Sequence, residues 1–171
     1  MANIFEENAY TKEIETRIKE INKENKTIEL EDTIFYGKSG GQPGDVGEII
    51  ADGQKIEVND TIKIEGSIKN ILENLNGLKK NQKIIAKVNW NKRYKYMRMH
   101  SALHLMCASI PLKVTGGQIG YEKSRLDFND PDKEIIIVIL ANRTYPKDDL
   151  TFSKSNIRTR IQELVYEALI N

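Results

Sequence analysis

The chain has 171 residues, of which 39% are hydrophobic and 30% charged, and its formal net charge is +1. This length and composition exclude a disordered chain and allow either one domain or two small domains that share an interface. The absence of a long apolar run and of a signal-peptide pattern predicts a cytoplasmic protein without membrane contact, and the single cysteine, Cys107, excludes an internal disulfide.

Short strands are predicted along the first half of the chain. Between Glu13 and Tyr36, apolar and Thr residues alternate with charged residues on both sides of a turn at residues 22–25, which is typical of an antiparallel hairpin. Such spacing favours a small β-barrel or curled sheet. Four further strands are indicated, at residues 46–50, 55–58, 62–65 and 84–90.

Beyond Trp90 the apolar period changes from that of a strand to that of a helix. No Gly or Pro occurs before Pro111, so we predict an amphipathic helix from Asn91, as N-cap, to about Ser109. This change of period predicts a domain boundary near Trp90, with a β-barrel subdomain at residues 1–90 and a second domain at residues 91–171.

The last third of the chain has a mixed pattern. Residues 114–118 and 121–128 are typical of strands. The segment from Asp130 to Arg143 combines a strand-like run of β-branched residues with a helix-like Asp-Pro start, and we favour a helix there. Apolar residues at helical spacing predict a final helix at residues 155–171.

No acidic residue lies between Asn74 and Tyr121, whereas nine basic residues do. A solvated charged face and a surface that binds a polyanion such as nucleic acid both explain this segregation, and the sequence leaves both open. The nine are Lys79, Lys80, Lys83, Lys87, Lys92, Arg93, Lys95, Arg98 and Lys113.

The two histidines of the chain lie within this basic stretch. His100 and His104 are four residues apart, so a helix brings both imidazoles to one face, where they could bind one metal ion or form a polar pair without metal. Residue Ser101 excludes the H-E-x-x-H signature of metalloproteases. Cys107 follows one turn later, and we interpret it as a core residue.

Two Gly-rich segments contain the triplet Gly-Gly-Gln. The first, SGGQPGD at residues 39–45, is not a P-loop and is typical of either a tight turn or a binding loop. The second, TGGQIG at residues 115–120, contains Gln118, which could form hydrogen bonds at the site of the histidines or lie in an exposed turn.

Taken together, three segments resemble the free-standing alanyl-tRNA editing proteins, the editing domain of alanyl-tRNA synthetase and, more distantly, threonyl-tRNA synthetase. They are TIFYGKSGGQPGDVG (33–47), VNWNKRYKYMRMHSALHL (88–105) and TGGQIGYEKSRLDF (115–128). The resemblance implies an α+β protein in which a small N-terminal β-barrel precedes an α+β editing domain of the threonyl/alanyl-tRNA synthetase type.

The same resemblance implies an activity and a set of site residues. The activity is zinc-assisted hydrolysis, in trans, of the ester in mischarged Ser-tRNA(Ala) or Gly-tRNA(Ala). His100 and His104 match zinc ligands, and Gln118 matches a glutamine that lines the editing pocket, where we expect a catalytic role. The expected contacts with the substrate and with the acceptor stem of tRNA(Ala) are Gly40, Gly41, Gln42, Lys92, Arg93 and Arg98.

One part of the family pattern is missing. The family supplies its other zinc ligands from a downstream Cys-x-x-x-His segment, but this chain has no histidine after His104 and no cysteine after Cys107. We favour a truncated copy that binds zinc weakly or not at all, over completion of the site by Glu122, Asp127 or Asp130. The alternative function is therefore a noncatalytic tRNA-binding module, and a homo-oligomer remains open.

Overall fold

The computed structural model of the protein describes residues 2–110, 112–130 and 135–142. Its first part is a closed barrel of six strands in the spatial order β2-β3-β7-β6-β5-β8. A short strand β1 (Ala2–Asn3) and one helical turn α1 (Ile4–Glu7) precede the barrel, and β1 pairs in parallel with β4 (Asp32–Thr33) outside it. The barrel strands are β2 (Glu13–Asn22), β3 (Thr27–Leu30), β5 (Gly47–Ala51), β6 (Gln54–Ile64), β7 (Ser67–Leu72) and β8 (Lys83–Val88).

Closure follows from strand β2, which pairs antiparallel with β3 on one side and with β8 on the other. Along these strands one face is polar and the other is apolar, and the apolar faces meet inside the barrel, so no free edge is left between β3 and β8. The fully buried side chains at the centre of this core include Ile18, Phe35, Ile49 and Ala86.

Most of the predicted barrel strands are confirmed, including the hairpin β2–β3, but two details differ. The strands predicted at residues 55–58 and 62–65 form one strand, β6, because Asn59 and Asp60 make a bulge between Val58 and Asp60 rather than a turn. Strand β7 was not predicted, since the buried Asn70 interrupts its apolar alternation.

Helix α2 (Trp90–Ser109) leaves the barrel directly after β8. Its N-cap is Asn89, whose side-chain oxygen accepts a hydrogen bond from the backbone N–H of Lys92 at 3.2 Å. The predicted N-cap, Asn91, was therefore wrong by two residues, and Trp90 belongs to the helix rather than to the preceding strand. The division into domains at residue 90 stays a prediction.

A three-stranded antiparallel sheet of order β11-β10-β9 follows the helix. Its strands are β9 (Lys113–Gln118), β10 (Lys123–Asp130) and β11 (Ile135–Asn142). A second core, which contains Leu103, Ile119, Leu126 and Phe128, joins α2 to this sheet.

The helix predicted from Asp130 to Arg143 is wrong, because residues 135–142 form strand β11. This strand pairs with β10 in a register that sets Ile139 opposite Leu126. β-Branched side chains lose rotamer freedom in a helix and fit a pleated sheet, and here this preference outweighs the Asp-Pro start. The predicted helix at residues 155–171 lies outside the described residues.

Within the described ranges, no helix combines the length and the apolar content that crossing a bilayer requires.

A close backbone approach between the loop before β5 and strand β6 leads to a stability prediction. A Cβ atom added at Gly44 would collide with the carbonyl oxygen of Thr61. We expect Gly44→Ala to lower the free energy of unfolding by about 1–3 kcal/mol, measured by urea denaturation. Lys23→Ala, in the exposed β2–β3 turn, is the control and should change it by less than about 0.5 kcal/mol. An equal effect of both substitutions would contradict the steric argument.

Candidate functional site

Helix α2 presents the two histidines side by side. Four residues of helix bring the rings of His100 and His104 into a stacked contact, with centroids 4.8 Å apart and planes inclined by 13°. His100 is partly buried, whereas His104 is exposed. The predicted one-face arrangement of the pair is therefore present.

The ring of His100 forms a hydrogen bond with Gln42, which is 58 residues earlier in the chain. Gln42 is 3% exposed, and its Oε1 accepts a hydrogen bond from Nδ1–H of His100 at 2.9 Å. This bond assigns the proton of the neutral ring to Nδ1 and leaves a lone pair on Nε2. Metal-binding and proton-accepting histidines are commonly oriented by such a second partner.

The surroundings of His100 also favour its neutral form. Burial lowers the pKa of His100, because the ring loses water that would stabilise its charge, and the neighbouring His104 lowers it further. At neutral pH the Nε2 lone pair is therefore available.

The Gly-rich loop at residues 39–45 lies against the end of strand β9. Gly40 and Gly41 have φ angles of +55° and +77°, which a side chain would strain. The carbonyl oxygen of Gly41 accepts a hydrogen bond from the N–H of Ile119 at 2.8 Å, and a Cβ at Gly41 would lie 2.6 Å from the carbonyl oxygen of Gly117. Both predicted Gly-Gly-Gln segments thus meet at one place.

An open cleft of about 440 Å³ lies between this loop, helix α2 and strand β9. The exposed Gln118 lines it together with both histidines, so the cleft brings together most of the predicted site. A larger cleft of about 500 Å³, lined by Arg17, Asp52 and other residues of the barrel part, contains none of the predicted site residues. The predicted residues that line the smaller cleft are Gly40, Gly41, His100, His104 and Gln118.

Arg93 has a different role from the predicted contact with phosphate. Its side chain is buried, with 4% exposure for the residue, and forms an ion pair with the equally buried Asp45. Asp45 also accepts a hydrogen bond from the backbone N–H of Tyr36 at 2.7 Å. Burial raises the pKa of Asp45, and the positive charge of Arg93 opposes that shift. A guanidinium enclosed in this way is not available to a phosphate, and it instead fastens the Gly-rich loop to α2.

Lys92 and Arg98, the two other predicted contacts with tRNA, are exposed on α2 outside the cleft. The guanidinium carbon of Arg98 lies 5.8 Å from the ring centroid of Tyr94. Both residues stay predicted contacts.

The donor set fits a zinc site only in part. His100 and His104 offer two imidazole nitrogens on one side of the cleft, and Cys107, which is partly buried, packs against the second core beside them. Across residues 2–110, 112–130 and 135–142, no group of three His, Cys, Asp or Glu side chains is arranged to hold a metal ion. A catalytic zinc usually has three protein ligands, so the described residues supply an incomplete set.

Sequence reasoning missed two features of this site. Gln42 was assigned to substrate binding, whereas its oxygen orients His100 over a separation of 58 residues. Asp45 was not assigned at all, although it pairs with Arg93 over 48 residues. The only sequence signal was the position of both residues in the Gly-rich loop.

Comparison with known proteins identifies relatives of this chain. The family of tRNA synthetases class II (A) matches residues 3–92. An alanyl-tRNA editing protein AlaX-M from Methanosarcina barkeri is 36% identical over 70% of this chain and 53% of its own length. AlaX-M from Saccharolobus solfataricus is 32% identical over 85% of this chain and 64% of its own length.

A similar match, 34% identical, is the alanine–tRNA ligase of Methanococcus aeolicus, with 72% of this chain and 14% of the ligase aligned. The chain therefore spans between half and two thirds of the two AlaX-M relatives and a small part of the ligase. The barrel, the histidine helix and these matches together assign the chain to the class II (A) tRNA synthetase family, among the alanyl-tRNA editing proteins.

Proposed function

We propose that this protein hydrolyses, in trans, the ester that joins serine or glycine to tRNA(Ala) in the mischarged molecule, and that it acts in the cytoplasm. The observation that carries the proposal is the hydrogen bond between Nδ1 of His100 and the buried Gln42 at the edge of an open cleft. The names of the relatives, alanyl-tRNA editing proteins, supply the substrate class.

The residues of the chain suit the hydrolysis of an activated ester. With Nδ1–H bonded to Gln42, the Nε2 atom of His100 can accept a proton from water or bind a cation. The exposed amide of Gln118 is within the same cleft and can donate and accept hydrogen bonds with the amino acid. A hydrogen bond between Gln118 and the serine hydroxyl would favour serine over alanine, which has no hydroxyl group.

Zinc is part of this proposal, with His100 and His104 as its ligands. A bound Zn²⁺ ion would supply a water of lowered pKa and polarise the ester carbonyl. Since the described residues lack a third ligand, we expect weaker binding than at a site with three protein ligands.

The same incomplete ligand set supports the alternative function, a tRNA-binding module without catalysis. Lys92 and Arg98 would then contact the phosphates of the acceptor stem, with an affinity that falls as salt rises. Both functions share the RNA contacts and differ only in turnover.

Metal analysis and a deacylation assay separate the two functions. The purified protein is incubated with Ser-tRNA(Ala), Gly-tRNA(Ala) and Ala-tRNA(Ala), with and without added Zn²⁺, and loss of the ester is followed. Hydrolysis of the first two substrates but not of Ala-tRNA(Ala) supports the proposed enzyme. Salt-sensitive binding of tRNA without turnover at saturating Zn²⁺ contradicts it and supports the alternative.

Replacement of Gln42 tests the orientation of His100. Gln42→Leu removes the acceptor of the Nδ1–H bond, so we expect the rate of deacylation and the affinity for Zn²⁺ to fall about 10- to 100-fold. Gln42→Glu retains an acceptor and should exceed Gln42→Leu in both measurements.

The matched control for this test is Gln54→Leu, on the exposed surface of β6. It should leave both quantities unchanged. Equal losses in Gln42→Leu and Gln54→Leu would show that the Nδ1 bond has no role.

A further inference from the structure

Three aromatic rings meet beside the barrel at the start of α2. Trp90 and Tyr94 are stacked, with centroids 5.5 Å apart and planes inclined by 21°. Tyr10 contacts these rings at centroid distances of 5.7 Å and 6.5 Å. We call Tyr10, Trp90 and Tyr94 the aromatic stack.

Two rings of the aromatic stack are open to solvent, whereas the third is anchored. Tyr10 is 63% exposed and Tyr94 is 40% exposed. Trp90 is partly buried and packs against the barrel core. Large rings held rigidly at a surface are typical of binding sites rather than of a solvated face.

Positive charge accompanies the rings. The Nζ atom of Lys12 lies 5.0 Å from the ring centroid of Trp90, and Arg98 lies over Tyr94. Helix α2 carries no acidic residue along its whole length. Aromatic faces flanked by Lys and Arg are the surface that unpaired nucleotides recognise, because bases stack on the rings and phosphates pair with the cations.

The aromatic stack lies close to the cleft, because Trp90 and Tyr94 are on the same helix as the two histidines. Trp90, Tyr94 and Arg98 are spaced by four residues and share one face of α2, about a quarter turn from the face of His100 and His104. Tyr94 precedes His100 by roughly 9 Å along the helix axis. The aminoacyl ester of a charged tRNA is on the last ribose, so an ester at His100 leaves the preceding unpaired nucleotides within reach of the rings.

We propose that the aromatic stack is a platform on which unpaired bases at the 3′ end of the RNA substrate stack while the terminal ester enters the cleft. This inference rests on the proposed function for its substrate and names the residues that would bind the single-stranded end.

Trp90 provides a direct readout, because it is the only tryptophan in the chain. The probes are an uncharged RNA minihelix with a four-nucleotide single-stranded 3′ end and the same minihelix with a blunt end. We expect the first to quench Trp90 fluorescence and to bind more tightly than the second. Tyr94→Ala and the more exposed Tyr10→Ala should each raise the Kd of the first probe about tenfold and leave that of the blunt probe unchanged.

The conservative variant Tyr94→Phe retains a ring and should bind the first probe nearly as tightly as the unchanged protein. Equal quenching by both probes, or equal losses of affinity for both in Tyr10→Ala, would overturn the platform. Hydrolysis of Ser-tRNA(Ala) is measured on the same preparations. Hydrolysis without quenching overturns the platform and leaves the proposed function intact, whereas overhang-specific quenching without hydrolysis supports the platform and contradicts the enzyme.

Discussion

Replacing Arg93 with methionine is expected to lower the free energy of unfolding by about 3–5 kcal/mol, because it leaves the buried carboxylate of Asp45 without its partner. Urea denaturation at pH 7 measures the change. The matched control is Lys92→Met, one residue earlier and exposed, which should change the free energy by less than about 0.5 kcal/mol.

The pH dependence of the stability lost in Arg93→Met identifies the cause of the loss. Burial raises the pKa of Asp45 above its ordinary value of 3.8, and removing Arg93 takes away the opposing charge. A carboxyl group with a raised pKa in the folded state binds protons more readily there than in the unfolded chain, so the folded variant gains stability as pH falls through that raised pKa. The difference in free energy of unfolding between Arg93→Met and the unchanged protein should therefore become smaller as the pH falls from 7 to 4.

The double variant Asp45→Asn with Arg93→Met removes both charges. It should be more stable than Arg93→Met alone at pH 7. If Arg93→Met loses no more stability than Lys92→Met, or if its deficit does not change with pH, an unpaired Asp45 is not the cause.

Replacing His100 with alanine is expected to lower the rate of deacylation about 10²- to 10⁴-fold, because it removes the Nε2 lone pair that either accepts a proton from water or binds Zn²⁺. The same change removes one of the two imidazoles proposed to bind Zn²⁺, so the affinity for the metal should fall with the rate. Single-turnover hydrolysis of Ser-tRNA(Ala) and titration with Zn²⁺ measure the two effects.

The control for this variant is Ser101→Ala, on the next residue of α2 and exposed, which should retain the full rate. His100→Ala should also keep its affinity for the blunt minihelix, since the proposed phosphate contacts, Lys92 and Arg98, are unchanged. A variant that keeps more than about a tenth of the rate would exclude His100 both as the proton acceptor and as an essential zinc ligand.

Local sequence patterns predicted much of the fold. Alternation of apolar and charged residues predicted β2, β3 and β8, and the change of period at Trp90 predicted α2. Two of the failures have a common cause, since the context of neighbouring strands overrode the local signal. Asn59-Asp60 resembles a turn yet forms a bulge, and the Asp-Pro start of residues 130–131 does not prevent β11 from pairing with β10.

The candidate site also has features that the sequence predicts and features that depend on the tertiary structure. The sequence by itself determined the four-residue spacing that stacks His100 on His104, and the adjacent glycines that allow the turn of the Gly-rich loop, because both depend on neighbouring residues. Only the tertiary structure decided that Gln42 orients His100 and that Arg93 is enclosed with Asp45 rather than exposed to phosphate. These contacts join residues 58 and 48 positions apart, and a pairing over such a separation leaves no periodic trace in the chain.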